Sequence, residues 1–167
     1  MKETPQQYRD RILGLLKGKK PLEVLEATPK KIAALVKGAS RKKLSARPAP
    51  GKWSAVEILA HLADVELVQG VRMRMIIGSN GIPIQGFNQD AWADAMEYSS
   101  QPSAASLEAF RAARERNVRM LKSLPRKLWS SYGMHSERGR ETVTRVVEMT
   151  AGHDLNHLAQ LMERLKG

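Results

Sequence analysis

The chain has no cysteine. Disulfides, thiolate metal sites and a cysteine nucleophile are thereby excluded, and a reducing cytoplasm is the compartment expected for it. Long apolar runs are missing too. None reaches the length of a membrane span, and the stretch from Met1 to Tyr8 lacks the apolar region of a signal peptide. Aromatic side chains are 5% of the residues, too few for a base-stacking platform, and no helix-turn-helix, zinc-finger or basic-zipper pattern occurs. Acidic residues are the scarce charge, 17 against 28 Lys plus Arg, for a net +11. That excess raises nucleic acid as a partner. The basic residues are dispersed, however, in short runs from Lys17–Lys20 to Arg138–Arg145, which is the pattern of a solvated surface and argues against it. The length, 167 residues, is most simply one domain, 1–167, with a sizeable core.

Against these absences stand four histidines, three of them in similar settings. His153 and His157 are spaced i and i+4 in the stretch Ala151–Leu165. On a helix that puts both imidazoles on one face, one turn apart, able to grip one transition-metal ion from the same side. A helical wheel sets them at the border of an apolar stripe formed by Val143, Val146, Val147, Leu158, Leu161 and Leu165, pointing inward. His61 lies within Trp53–Ile77, a long helix with apolar residues on most sides. One histidine from one helix and a His-x-x-x-His pair from another make a three-ligand site with open positions, the usual form of a catalytic metal centre.

Along the chain, Tyr8–Leu16 reads as a short amphipathic helix ended by Gly18 and Pro21. Leu22–Ala27 adds a further turn. Thr28-Pro29 has the form of a helix start running to Val36, so residues 22–37 are either one kinked helix or two pieces. Arg41–Gly51 is a linker. Ser54 with Glu57 matches a capping box at the head of the second long helix. Ile82–Gln101 reads as irregular, with Asp90 and Trp92 placed to line a pocket. Ser103–Leu124 is the third long helix, capped by Ser103, with a solvated Arg- and Glu-rich face. Lys127–Thr142 is a second irregular connection containing His135, a weaker ligand candidate in its polar context. The fourth helix runs from Thr142 to Leu165. Four substantial helices and few strand patterns predict an all-α four-helix bundle with long irregular connections between helices 2 and 3 and between helices 3 and 4.

Three stretches, in order, carry a family resemblance: Leu44–Glu66 with its Pro-Gly-Lys-Trp-Ser and His61; Phe87–Ala93; and His135–Gly139 followed by Thr142 and Gly152–Gln160. Together they resemble the DinB-like superfamily of bacterial metal-binding four-helix bundles. The resemblance implies a divalent ion, zinc or nickel, on His61, His153 and His157, and a homodimer. It also implies small-molecule chemistry, either thiol transfer with a low-molecular-weight thiol or hydrolysis. Two positions depart from the family pattern. Asn88 stands where an aspartate is usual, which leaves that carboxylate's role unfilled. Ser136 stands where proline is usual, which predicts a looser loop.

A metal on three neutral imidazoles keeps most of its charge, so a water or thiol beside it has a lowered pKa. Asp64, Glu66, Asp90 and Asp154 are the candidate proton carriers or supports for the ligands. Asp154 follows His153 directly, so it points roughly 100° away around the helix, toward a salt bridge if not toward the site. Arg72 and Arg140 are candidates for holding an anionic group. The expected function is a metal-dependent enzyme, a thiol S-transferase or a hydrolase. The alternatives are a non-catalytic, metal-stabilised bundle acting as a stress-response binding module and, third, a nucleic-acid-binding protein.

Overall fold

The computed structural model describes residues 3–166. Twelve elements follow one another: α1 (Pro5–Gly14), α2 (Pro21–Val36), α3 (Arg41–Ser45), α4 (Ala55–Gly78), β1 (Ile82–Ile84), α5 (Gln89–Ala95), a 3-10 turn (Tyr98–Ser100), α6 (Ser103–Ser123), a second 3-10 turn (Arg126–Ser130), β2 (Tyr132–His135), β3 (Gly139–Thr142) and α7 (Val143–Leu165). The bundle is α2, α4, α6 and α7. Around it the order is α2, α7, α4, α6, so α2 and α4, and likewise α6 and α7, lie across diagonals. Each of those steps along the chain has to cross an end of the bundle, and the connections are long to match.

The helix starts follow local chemistry. Ser54 and Glu57 form the expected capping box, each side chain accepting the other's backbone N–H. Thr142 Oγ1 accepts from Arg145 N at the head of α7. Two expected starts are corrected. Ser103 caps nothing; the position before α6 is Pro102, with no side-chain hydrogen bond. Thr28-Pro29 begins no helix, because α2 runs unbroken through it and Thr28 Oγ1 donates to Val24 O instead. The interior proline has a consequence. With no N–H on Pro29, the Leu25 carbonyl lacks its helical partner, and Arg114 Nη1 fills the place at 3.0 Å.

The two stretches expected to be irregular instead supply a three-stranded sheet, α5 and the 3-10 turns. β1 runs parallel to β2, with Ile84 paired to His135, and β2 runs antiparallel to β3, with His135 paired to Gly139. Pro83 is tolerated because β1 is an edge strand.

The apolar core has two large parts and a small third one of Ala60, Ala93 and Tyr98. One large part gathers Leu25, Met73, Ile76, Leu121, Val143 and Val147; the other gathers Ile32, Ile58, Leu59, Leu62, Phe110 and Leu161. Between these sequence levels, α4, α6 and α7 each place polar residues inward: Glu66, Arg114, Asn117 and Asp154 are all buried. His153 and His157 belong to this middle level, and His61 sits at its edge between Leu59 and Leu62 of the second part. α1 lies across α7 just there, and the packing is tight: a Cβ on Gly152 would sit 2.3 Å from the Ile12 carbonyl oxygen. Gly152 thus lets α1 close over the helix turn that carries His153.

Candidate metal centre

α4 and α7 are neighbours, and that adjacency brings His61 against the i, i+4 pair of α7. His153 Nε2 lies 3.0 Å from His61 Nε2 and 3.0 Å from His157 Nε2. One ligand atom from each ring falls within 4.8 Å of the other two. All three residues are buried. Trp53 packs on the His61 ring at 4.8 Å, closing one side.

His157 has a defined tautomer. Its Nδ1 lies 3.0 Å from Gln160 Oε1, an acceptor, so Nδ1 carries the proton and Nε2 presents its lone pair to the cluster. The Nδ1 of His153 is buried without a partner among the described residues. Protonation of the group is disfavoured throughout. Burial, then His157, pushes His61 down to about 2. Burial pushes His157 down to about 4, with Gln160 opposing and Arg164 and Arg11 adding to the fall. Burial and the two neighbouring imidazoles hold His153 well below the ordinary histidine value. Three neutral nitrogens converge on one point, the kind of donor set that binds borderline transition-metal ions.

Two cavities open on the cluster. The larger, about 300 Å³, reaches His61 and His153 and is bounded by Tyr8, Arg72, Phe87 and His135. The smaller, about 220 Å³, reaches His157 and is bounded by Arg11, Trp53, Asp90 and Arg164. Tyr8 and Gln89 line both, so they stand between the two mouths. Burial raises the Tyr8 phenol's pKa, which keeps it a hydrogen-bond donor at neutral pH.

The carboxylate candidates fare differently. Asp90 is exposed on α5 and lines the smaller cavity, on the His157 side. Asp64 accepts a hydrogen bond from the Tyr98 hydroxyl. Glu66 and Asp154 line neither cavity; both bind Arg114, which lies 2% exposed in the bundle interior. Arg114 Nη2 reaches Glu66 Oε2 at 2.7 Å and Asp154 Oδ1 at 3.0 Å, while Nη1 takes the other Asp154 oxygen and Leu25 O. Asn117 Nδ2 adds a bond to Glu66 Oε1 at 2.7 Å. Burial works against the Arg114 charge, but Asp154 and Glu66 outweigh it and raise its pKa. The solvated face expected on α6 therefore holds for Arg111 and Arg119, but Arg114 is a buried centre that joins all four helices of the bundle.

His135, discounted in the sequence as a polar-loop residue, is buried and lines the larger cavity. The available signal is the alternation in Tyr132-Gly-Met-His135, which turns Gly133 and His135 inward and Met134 outward. Arg72 lines the same cavity, whereas Arg140 is exposed and stacks over Tyr132, 4.2 Å from its centroid.

Residues 24–161 match the DinB superfamily, a span that covers most of the chain and includes all three clustered histidines. The chain belongs to the DinB superfamily. Among curated relatives, a Bacillus mycoides protein is 25% identical over 86% of this chain and 84% of its own length. An Oceanobacillus iheyensis protein is 22% identical over 85% and 82%. Both bear the name "Putative metal-dependent hydrolase". Among solved structures, YfiT of Bacillus subtilis superposes with a TM-score of 0.78 at 18% identity, over 96% of this chain and 89% of that one. YfiT is described as a probable metal-dependent hydrolase with an unusual four-helix-bundle topology. The likeness establishes a common fold.

The two departures from the DinB-like pattern have structural roles. Asn88 is the N-cap of α5, its Oδ1 accepting from Asp90 N at 3.0 Å and Ala91 N at 3.1 Å, work an asparagine does as well as an aspartate. Ser136 does not loosen its loop. Its N–H donates to Ile84 O at 2.9 Å and its Oγ accepts from Gly86 N at 3.1 Å. A proline has neither group, so serine ties the β2–β3 turn to the β1–α5 connection.

Proposed function

We propose that this DinB-superfamily protein is a metal-dependent hydrolase of small molecules, with one divalent ion held by His61, His153 and His157. The observation that carries the reading is the convergence of three Nε2 atoms, one of them fixed as a lone-pair donor by Gln160. Their 3.0 Å separations are close to the roughly 3.3 Å edge of a tetrahedron whose nitrogen–metal bonds are about 2.05 Å. Without a cation, one proton on His153 Nε2 can serve only one of the two facing nitrogens at a time. Among the described residues no carboxylate joins the cluster, so the bound ion would keep most of its positive charge.

When bound, the ion would supply Lewis acidity toward an acyl group and lower the pKa of water or a thiol beside it. The chain's own residues do the rest. Trp53 and α1 cover the cluster and restrict water. Tyr8 sits between the two cavities as a phenol donor. Asp90 offers a carboxylate on the His157 side. Supporting the hydrolase reading, relatives that align over most of this chain bear the name "Putative metal-dependent hydrolase". A low-molecular-weight thiol in place of water would make the same site an S-transferase, with the sulfur supplied from outside a cysteine-free chain.

A panel of small esters and amides, assayed on zinc- and nickel-loaded and chelator-treated protein, tests this. Turnover that needs metal and is lost in a folded His157→Ala variant is expected. Undiminished turnover in that variant, or none with either metal, overturns the reading.

A further inference from the structure

The larger cavity has a second polar wall that the metal reading does not use. Arg72 is 8% exposed, yet no carboxylate among the described residues lies within ion-pair distance of its guanidinium. Nη2 donates to the Gln85 carbonyl, and one face of the group lies over Phe87, 5.3 Å from the ring centroid. Phe87 is itself stacked on Trp92 at 4.2 Å, so the platform is braced. The remaining N–H groups have no acceptor among the described residues. Burial, then Arg138, lowers the Arg72 pKa, with Glu141 and Glu137 opposing, but an arginine stays charged at any working pH.

His135 stands on the same wall. Its Nδ1 accepts the backbone N–H of Glu137 at 3.1 Å, which puts the neutral ring's proton on Nε2. That N–H has no partner among the described residues, although the ring is 4% exposed. Two of the other charges around the cavity are already matched, and the third, Glu137, is a carboxylate. Arg138 is paired to Glu141 through two bonds of 2.7 and 3.1 Å, and Glu3 is paired to Arg11 at 2.8 Å. Glu137 is exposed at the rim. One buried, unmatched cation with free N–H edges and one free imidazole N–H beside it form an acceptor site for a single negative charge.

We propose that Arg72 and His135 anchor a carboxylate of the substrate, so that the cavity takes a small carboxylic acid with its acid group on this wall and its remaining end toward His61 and His153. A carboxylate fits better than a phosphate. It carries one charge for one free cation, and a phosphate dianion would bring a second charge toward Glu137 and Glu141. The anchor stands on geometry alone; only the statement that the far end carries the bond to be hydrolysed rests on the proposed function.

The probe is N-acetylglycine beside its methyl ester and inorganic phosphate. Binding is read by titration calorimetry and by the ring resonances of histidine-labelled protein. Each titration is run on zinc-loaded and on chelator-treated protein, because a carboxylate can also ligate a metal. We expect N-acetylglycine to bind in both forms and to shift His135, with the ester and phosphate at least about tenfold weaker. Arg72→Gln loses at least about tenfold, Arg72→Lys recovers part, and His135→Phe loses a smaller factor. Arg140→Gln is unchanged, and zinc content is unchanged in every variant. The ester comparison needs no variant, so it stands even if Arg72→Gln misfolds. Equal binding of acid and ester, phosphate binding as tightly as the acid, no binding to wild type, or binding that vanishes with the chelator while ignoring Arg72→Gln would each overturn the anchor. Failure of the hydrolase reading would show separately, as absent metal or absent turnover of uncharged substrates.

Discussion

Two buried polar clusters share the helices α4 and α7 and are built on opposite plans. At the Arg114 node, Glu66 of α4 and Asp154 of α7 meet a guanidinium, and Asn117 and the Leu25 carbonyl occupy neighbouring hydrogen-bonding groups. At the histidine cluster, His61 of α4 and His153 and His157 of α7 turn nitrogens toward one another with no opposite charge between them. The residues alternate along the same turns: His153 faces one cluster and Asp154, the next residue, faces the other. The closed cluster has its charges paired inside the protein, with Arg114 Nε its one buried donor left without a partner among the described residues, and it ties the four helices together. The open one has bonding capacity left over and two cavities leading to it, which is what a binding site needs.

The largest effect should come from breaking the closed cluster. Arg114→Leu leaves two buried carboxylates without their cation and should cost about 3–5 kcal/mol, read as a fall in the urea midpoint. A smaller loss would mean the carboxylates find other partners. Next comes acid. His157 titrates at about 4 in the fold against about 6.5 unfolded. Its folded pKa is the depressed one, so the unfolded chain binds more protons between those values. The stability of metal-free protein is therefore intact above the unfolded value and falls as pH drops from about 6.5 toward 4, by on the order of 3 kcal/mol from this residue. Flat stability across that window would show that the imidazoles are not buried as a neutral group. The smallest effect sharpens the contrast from the open side. Gln160→Ala removes the acceptor for His157 Nδ1 and should weaken metal binding about 10–100-fold, with little change in the denaturation midpoint of metal-free protein.

How much of this was legible in the sequence differs between the two clusters. The i, i+4 spacing of His153 and His157, the Ser54–Glu57 box and the apolar stripe of α7 are local signals, and they sufficed to place the histidines inward on the right helices. Arg114 gave no such signal. It sits among Arg111, Glu115, Arg116 and Arg119 and resembles them; what draws it inside is a carbonyl freed by Pro29, 85 positions earlier, and carboxylates on two other helices. The same distance effect hid Arg72's lack of a counter-charge, since a missing partner can be seen only in three dimensions. His135 was obscured for another reason. A four-residue strand needs its neighbours to exist at all, because β2 pairs with β1 across a long stretch of chain and turns back to β3 at Gly139, whose φ of +72° suits the reversal.

The most direct test of the contrast is the metal content of tag-free protein, measured by elemental analysis for wild type, His153→Ala and Asp154→Asn. These adjacent residues belong one to each cluster. About one divalent ion per chain in wild type and in the folded part of Asp154→Asn, with none in a still-helical His153→Ala, is the predicted result. A wild type that stays folded and takes up no added zinc or nickel, or a His153→Ala variant that keeps its metal, would contradict it.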